Sequence, residues 1–320
     1  MDFKRLAIFV RVAEFGSLSR AADRMRIAQS ALSRQMRMLE EEIGVPLLER
    51  HRRGMALTEA GEELRSRIVG PLRQLEHAFQ DIRTQSSDVG GNVAFGMPPT
   101  ASYVLAGPLA RRVAATASNI SLRVVEGYTA HLIDWLHRGE IDAALLYGPA
   151  TDFQLKAEEL LLEEIMLVGP PDSGLDPTVA QPVSELAHLP MVLPSRPHGL
   201  RILADNAAAK AHVRLDVRFQ ADSFILMKDL VESGMGYSLL PLSSFNAEAR
   251  AGRLTYAPIE NRSVSRQLAL ATQPGASASR ATRVLIRLVK HEIAKLVENG
   301  SWGAHLMFDP SDYRDPLPKT

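Results

Sequence analysis

Apolar side chains recur at helical spacing from the start of the chain. Leu6, Phe9, Val10 and Ala13 mark an amphipathic helix over residues 3–15, which Gly16 stops. Ser17 or Ser19 can cap a second helix, whose Ala21, Ala22 and Met25 offer a flat face of small side chains for close packing. A third helix follows Arg26-Ile27-Ala28. Its Leu32, Met36, Leu39 and Ile43 face inward, which leaves Gln29, Ser30, Ser33, Arg34 and Arg37 outside, with no acid before Glu40. Gly44 ends this helix and Pro46 blocks its continuation. Residues 47–50 and 55–58 then read as two short strands joined by a basic tip, His51-Arg52-Arg53-Gly54.

Thr58 can cap a long helix running to about Gln85, with Glu59 at the positive end of its dipole. Leu64, Ile68, Pro71, Leu75, Ala78 and Ile82 alternate at steps of four and three, close to the 3.5-residue seam of a coiled coil, and such a seam needs a partner helix. Gly70-Pro71 predicts a bend. Residues 86–92, polar and with two glycines, read as a linker. Beyond Val93, apolar runs (VAFGM, SLRVVEG, DAALLYG, EEIMLVG, PMVLP, LDVRFQ, GYSLLP, RQLALAT) alternate with helical stretches over 104–117, 131–139, 200–212 and 225–233, the pattern of an α/β domain. A last helix, 280–299, precedes a Gly/Pro/Asp-rich tail.

Composition narrows the function classes. With 46% hydrophobic and 23% charged residues among 320, the chain reads as globular, with two or three domains. It has no cysteine, which removes disulfides, thiolate metal sites and cysteine nucleophiles and points to the cytoplasm. No stretch has the continuous apolar core of a signal peptide or a membrane span. The formal net charge of zero hides an asymmetry: residues 1–57 carry 11 Lys+Arg against 7 Asp+Glu, and residues 89–320 carry 22 against 24. The basic excess therefore lies where a phosphate-binding surface would be.

No nucleophile elbow, phosphate loop or dinucleotide fingerprint is present. His291-Glu292 opens a zinc-protease pattern, but Lys295 stands where the second ligand is needed. No cofactor is expected, and catalysis is not.

The segment GSLSRAADRMRIAQSALSRQMRMLEEEIGVPLLERHRRGMALTEAG closely resembles the LysR-type transcriptional regulators. It follows their patterns S-x-x-x-A-A-x-x-L, Q-x-A-[LV]-S-x-x-[IM]-x-x-L-E and L-T-x-A-G. Later stretches, GYTAHLIDWLHRGEIDAALLYG and VESGMGYSLLP, resemble the family's effector domain, and IAQSALSRQ, AALLYG and LPSRPHGLR are similar to its nitrogen-assimilation-control branch. Ala28 replaces a common capping Ser, Ser30 a common Pro, and Leu48 a common Phe.

The resemblance implies a winged helix-turn-helix over residues 1–58, a linker and dimerisation helix over 59–90, and an effector domain over 91–298 shaped like periplasmic solute-binding proteins. In that domain, lobe one would hold 91–165 and 266–298, lobe two 166–265, and a tail would follow over 299–320. DNA contact is expected from Gln29, Ser30, Ser33, Arg34, Arg37, Arg50, Arg52 and Arg53. An effector, expected to be an organic anion, would meet Thr100, Ser102 and Thr129 in strand-to-helix turns of one lobe, and Pro197, His198 and Phe224 in loops of the other. The implied partners are double-stranded DNA at an inverted repeat, further copies of the chain as a homodimer or homotetramer, and RNA polymerase, on the bacterial nucleoid. Two rivals remain: a solute-binding or enzymatic α/β protein whose first helices are structural, and a DNA-binding protein whose second domain holds no ligand.

Overall fold

The Asp2 carboxylate accepts the Lys4 N–H at 2.9 Å and so starts α1, Phe3–Phe15, which ends where Gly16 turns left-handed at φ 57°. Ser17 caps α2, Leu18–Met25, and α3 spans Gln29–Ile43. Phe9, Val12, Leu32 and Leu39 are fully enclosed where these three helices meet, so the inward faces expected from their spacing form one small core. From α3 the Glu40 carboxylate accepts the N–H groups of Leu47 (2.8 Å) and Leu48 (3.1 Å), which fixes the next segment to the bundle.

That segment is an antiparallel hairpin of β1, Leu48–His51, and β2, Gly54–Leu57, one residue out of step with the expected strands at its start. Gly54 sits at φ +133°, and a Cβ there would come within 2.6 Å of the Gly16 carbonyl oxygen. Only glycine allows this approach, in which the Met55 N–H donates to Gly16 O at 3.0 Å. Thr58 then caps α4, Glu59–Arg83, by accepting the Gly61 N–H at 3.1 Å, and the helix runs unbroken through Pro71.

The computed structural model describes residues 2–51, 54–83, 89–148, 155–262, 264–273 and 278–313. Its contacts divide into two units, residues 1–85 with 134–141 and residues 86–133 with 142–320. The second unit is α/β. In chain order it holds β3 (Gly91–Met97), α5 (Pro99–Thr116), β4 (Ile120–Glu126), α6 (Thr129–His137, its last turn assigned to the first unit), β5 (Ala143–Tyr147), β6 (Lys156–Gly169) and β7 (Pro190–Leu193). There follow α7 (Gly199–Lys210), β8 (Asp216–Gln220), α8 (Phe224–Glu232), β9 (Ser238–Pro241), α9 (Asn246–Arg250), β10 (Thr255–Ala257), β11 (Ser265–Thr272), α10 (Arg280–Glu298) and β12 (Ala304–Leu306).

Strand β6 organises this unit. Its first half pairs with β11 and β12, and its second half pairs with β9 and β10. The partner changes between Glu164, opposite Ser265, and Ile165, opposite Pro241. One sheet therefore continues through β11 and β5 to the parallel pair β3–β4, and the other lies with the parallel pair β7–β8. Two separate apolar cores match them, one including Phe95, Leu105, Leu285 and Trp302, the other Val192, Met227, Leu239 and Phe245. They are two lobes joined by a shared strand.

Several elements differ from the reading of the sequence. Helix α5 starts at Pro99, because proline's fixed φ suits a first helical turn, so Thr100 and Ser102 lie inside the helix rather than in a turn before it. Phe224 likewise opens α8 instead of sitting in a loop. The segment after Gly300 is no appended tail as far as Tyr313. Strand β12 extends the first sheet, Trp302 is buried in its core, and Tyr313 receives a hydrogen bond from the Lys290 Nζ at 3.0 Å.

Candidate functional site

On the outer face of α3, Gln29, Ser30, Arg34 and Arg37 are exposed and Ser33 is half-buried, while Leu32, Met36 and Leu39 point the other way. None of the four exposed side chains makes a hydrogen bond or ion pair among the described residues. Ala28 occupies the N-cap position without any side-chain bond, so the first-turn N–H groups have no side-chain acceptor there. The result is a helix face of amide, hydroxyl and guanidinium groups with unused donors. Arg50 lies on β1, with its side chain outside the described residues, as are Arg52 and Arg53 entirely.

The long helix divides its apolar residues. Leu64, Ile68 and Leu72 pack against the core of the first three helices, so the first half of the expected seam is used within the chain. Farther along, Leu75, Phe79 and Ile82 are 40%, 63% and 68% exposed and form a stripe at steps of four and three. Phe79 is not part of the seam expected from the sequence.

The gap between the two lobes has a volume of about 310 Å³. Pro99, Ser102 and Tyr103 of α5, with Glu126 and Tyr128, wall it on one side, and Ser223, Phe224 and Ile225 on the other. Tyr103 meets Phe224 edge to face at 5.5 Å between ring centroids, and the Tyr128 hydroxyl donates to the Asp222 carbonyl. Both contacts cross from lobe to lobe. Of the residues expected to bind an effector, the cleft therefore takes Ser102 and Phe224 into its lining.

Thr100, Thr129, His198 and Pro197 are placed differently. The Thr100 hydroxyl accepts from Arg266 Nη2 at 2.8 Å and lies 3.3 Å from the Tyr147 hydroxyl. Thr129 Oγ1 accepts the Tyr147 N–H and donates to the Tyr147 carbonyl, both at 3.2 Å, which latches the end of β5. His198 caps α7, its Nδ1 accepting the Leu200 N–H at 3.1 Å, and its ring packs on Tyr128 at 5.0 Å. Burial, assisted by the nearby Arg266 charge, holds the His198 imidazole below the usual histidine range. Pro197 is exposed beside it.

Where the lobes share β6 lies a cluster that sequence reading missed. Glu163 is fully buried and accepts from Ser243 Oγ (2.9 Å), Trp302 Nε1 (2.7 Å) and Arg266 Nε (2.8 Å). The Arg266 guanidinium also stacks on the Tyr147 ring, 3.4 Å from its centroid. No buried side-chain polar atom of this cluster lacks a partner, which is what a buried ion pair needs to persist. The Tyr147 hydroxyl is pushed well above the usual tyrosine range, chiefly by burial, and stays protonated. Four sequence-distant residues supply the cluster, and no local pattern announces it.

No helix among the described residues is long and apolar enough to cross a membrane. Residues 3–62 match the family description "Bacterial regulatory helix-turn-helix protein, lysR family", and residues 86–294 match "LysR substrate binding domain". The chain is 30% identical to the HTH-type transcriptional regulator BbuR of Bordetella bronchiseptica, over 95% of this chain and 94% of that one. It is also 30% identical to the nitrogen assimilation regulatory protein nac of Escherichia coli, over 94% and 99%. Among solved structures, a full-length single-residue variant of OxyR from Pseudomonas aeruginosa shares the fold at a TM-score of 0.72 and 24% identity, covering 92% of this chain and 94% of that one. Full-length CbnR complexed with its target DNA does so at 0.66 and 19%, covering 91% and 100%. With both parts matched and relatives aligned over nearly their whole length, the chain belongs to the LysR family of DNA-binding bacterial transcriptional regulators.

Proposed function

We propose that this regulator reads a promoter with the exposed face of α3 and changes its action when a small molecule fills the cleft between the two lobes. The observation that carries the first half is the set of uncommitted side chains on that face. Gln29, Ser33 and Arg34 are the base-reading residues, with Ser30 and the uncapped start of α3 against the sugar-phosphate backbone. Arg37 and the hairpin arginines Arg50, Arg52 and Arg53 add phosphate or minor-groove contact. The head comprises residues 1–58, the linker 59–90 with α4 at its start, and the sensing part everything from 91 to at least Tyr313.

The stripe Leu75, Phe79 and Ile82 pairs with the same stripe of a second copy, which presents two α3 helices to an inverted repeat. The pair works on the nucleoid, in the cytoplasm, and meets RNA polymerase at the promoter. Effector control rests on the cleft: a ligand that binds one arrangement of the lobes better than another shifts the oligomer toward it, and equal affinity would shift nothing.

Mapping bound genomic fragments with the full-length protein tests the DNA half. An inverted repeat should emerge from wild type, and Arg34→Ala should blur one position of each half-site. An unchanged motif with Arg34→Ala would remove α3 as the reading element.

A further inference from the structure

We propose that the molecule the cleft accepts is a small organic cation, an ammonium group carried on an apolar or aromatic body. This rests on the reading of the cleft as the effector site, and concerns the charge of what enters it.

Among the described residues lining the cleft, Glu126 is the one charged side chain. It has already taken the position an anionic ligand would want. Ser102 in the first turn of α5 donates to the Glu126 carboxylate, so the positive end of that helix dipole faces an acid of the protein itself. An incoming carboxylate would have to displace Glu126 or lie against it.

Arg266, Lys228 and His198 each already have a partner within the protein. Arg266 is bound to Glu163 and Thr100, Lys228 donates to Ser244 O at 2.8 Å and Glu248 Oε1 at 2.6 Å, and the His198 Nδ1 is held by the cap of α7. Arg266 and Lys228 therefore already have their charges paired within the protein. A cation meets the opposite situation, because Glu126 offers it a full counter-charge at the cleft wall.

The rest of the lining is aromatic. Tyr103, Tyr128 and Phe224 surround the space from both lobes, and electron-rich ring faces attract positive charge that has lost part of its water. The protein already uses two of these rings in this way: the buried Lys228 Nζ lies 5.1 Å from the Tyr103 centroid and 5.5 Å from that of Phe224. Three rings and one carboxylate around about 310 Å³ suit an ammonium compound of about ten non-hydrogen atoms.

The test is calorimetric titration of the full-length protein with benzyltrimethylammonium chloride and, separately, with sodium benzoate, at matched ionic strength. The ammonium salt should bind saturably, and Glu126→Gln and Phe224→Leu should each weaken it by about tenfold or more, with thermal unfolding confirming that both variants fold. If benzoate binds instead and Glu126→Gln tightens it, the cleft stands and the cation assignment falls. Saturable binding of neither salt also overturns the cation assignment. Ammonium binding equally strong in wild type and both variants would place the ligand elsewhere, and the cleft reading would fail with it.

Discussion

The Trp302 indole N–H donates to Glu163 Oε1 at 2.7 Å, at a carboxylate with no solvent contact. Trp302 follows the last helix, and Glu163 lies on the strand where β6 passes from one lobe to the other. The bond therefore ties the segment after α10 to the junction of both lobes. Trp302→Phe should lower the stability of the sensing unit by about 1.5–3 kcal/mol, the worth of a hydrogen bond to a charged group. Glu163→Leu should cost more, about 3–5 kcal/mol, because Arg266 is left buried and unpaired. Urea unfolding followed by tryptophan fluorescence for the second variant, and by circular dichroism for the first, measures both. If Glu163→Leu proved no less stable than Trp302→Phe, the ion pair would not be the keystone of the cluster.

The two halves of the α4 stripe separate oligomerisation from folding. Phe79→Glu places a charge on a surface that is 63% exposed in the single chain, so the monomer should keep its thermal midpoint while self-association is lost. Leu64→Ala should do the reverse, since Leu64 packs on the core of the first three helices, costing up to about 2–5 kcal/mol with dimers still formed by the folded fraction. Sedimentation velocity at micromolar concentration reads the first outcome and thermal unfolding the second. A Phe79→Glu protein that remains dimeric would move the interface elsewhere.

Base readout and backbone contact by the head should fail in different ways. Gln29→Ala or Arg34→Ala should cost about 1–3 kcal/mol of discrimination at one base pair. Loss of Arg52 or Arg53 should weaken all sequences alike and shallow the dependence of affinity on salt. Competition binding with single-base variants of the site, at two salt concentrations, distinguishes these outcomes.

Thr129→Val should act on stability before it acts on sensing. Its hydroxyl both receives the Tyr147 N–H and donates to the Tyr147 carbonyl, so valine strands the end of β5, at about 1–3 kcal/mol. A Thr129→Val protein with an unchanged thermal midpoint would mean that solvent takes over both bonds.

Acid should loosen the sensing unit through His198. Its imidazole is held below the ordinary histidine range, so between about pH 6.5 and that lower value the unfolded chain carries a proton that the folded one does not. Stability is then greatest above pH 6.5 and declines as pH falls through that window. His198→Asn keeps an acceptor for the Leu200 N–H and cannot titrate, so its thermal midpoint should drop less between pH 7 and 5.5 than that of wild type. Parallel curves would clear His198 of this role.

What could be read from the sequence follows the range of the forces involved. Helices α1 to α3 were legible because their inward positions repeat within single segments, and Gly16 and Gly44 mark their ends. Phe79 escaped because the seam runs through Pro71 on a single register, whereas the helix hands its first apolar residues to its own head. The first half of β6, KAEELLLEE, alternates poorly and reads as polar, since four of its first residues are exposed beside a buried half. Of the six proposed effector contacts, only Ser102 and Phe224 line the cleft, because hydroxyls at helix starts look the same whether they await a ligand or latch a neighbouring strand. The cluster of Glu163, Ser243, Arg266 and Trp302 had no local signal.

That cluster also sets an order of events during synthesis. The apolar core of the head is complete once Leu72 has emerged, while Trp302 follows about 230 residues later, roughly 10–45 s at ordinary translation speeds. A nascent chain therefore carries a finished head core well before the ribosome supplies the residue that closes the junction between the lobes.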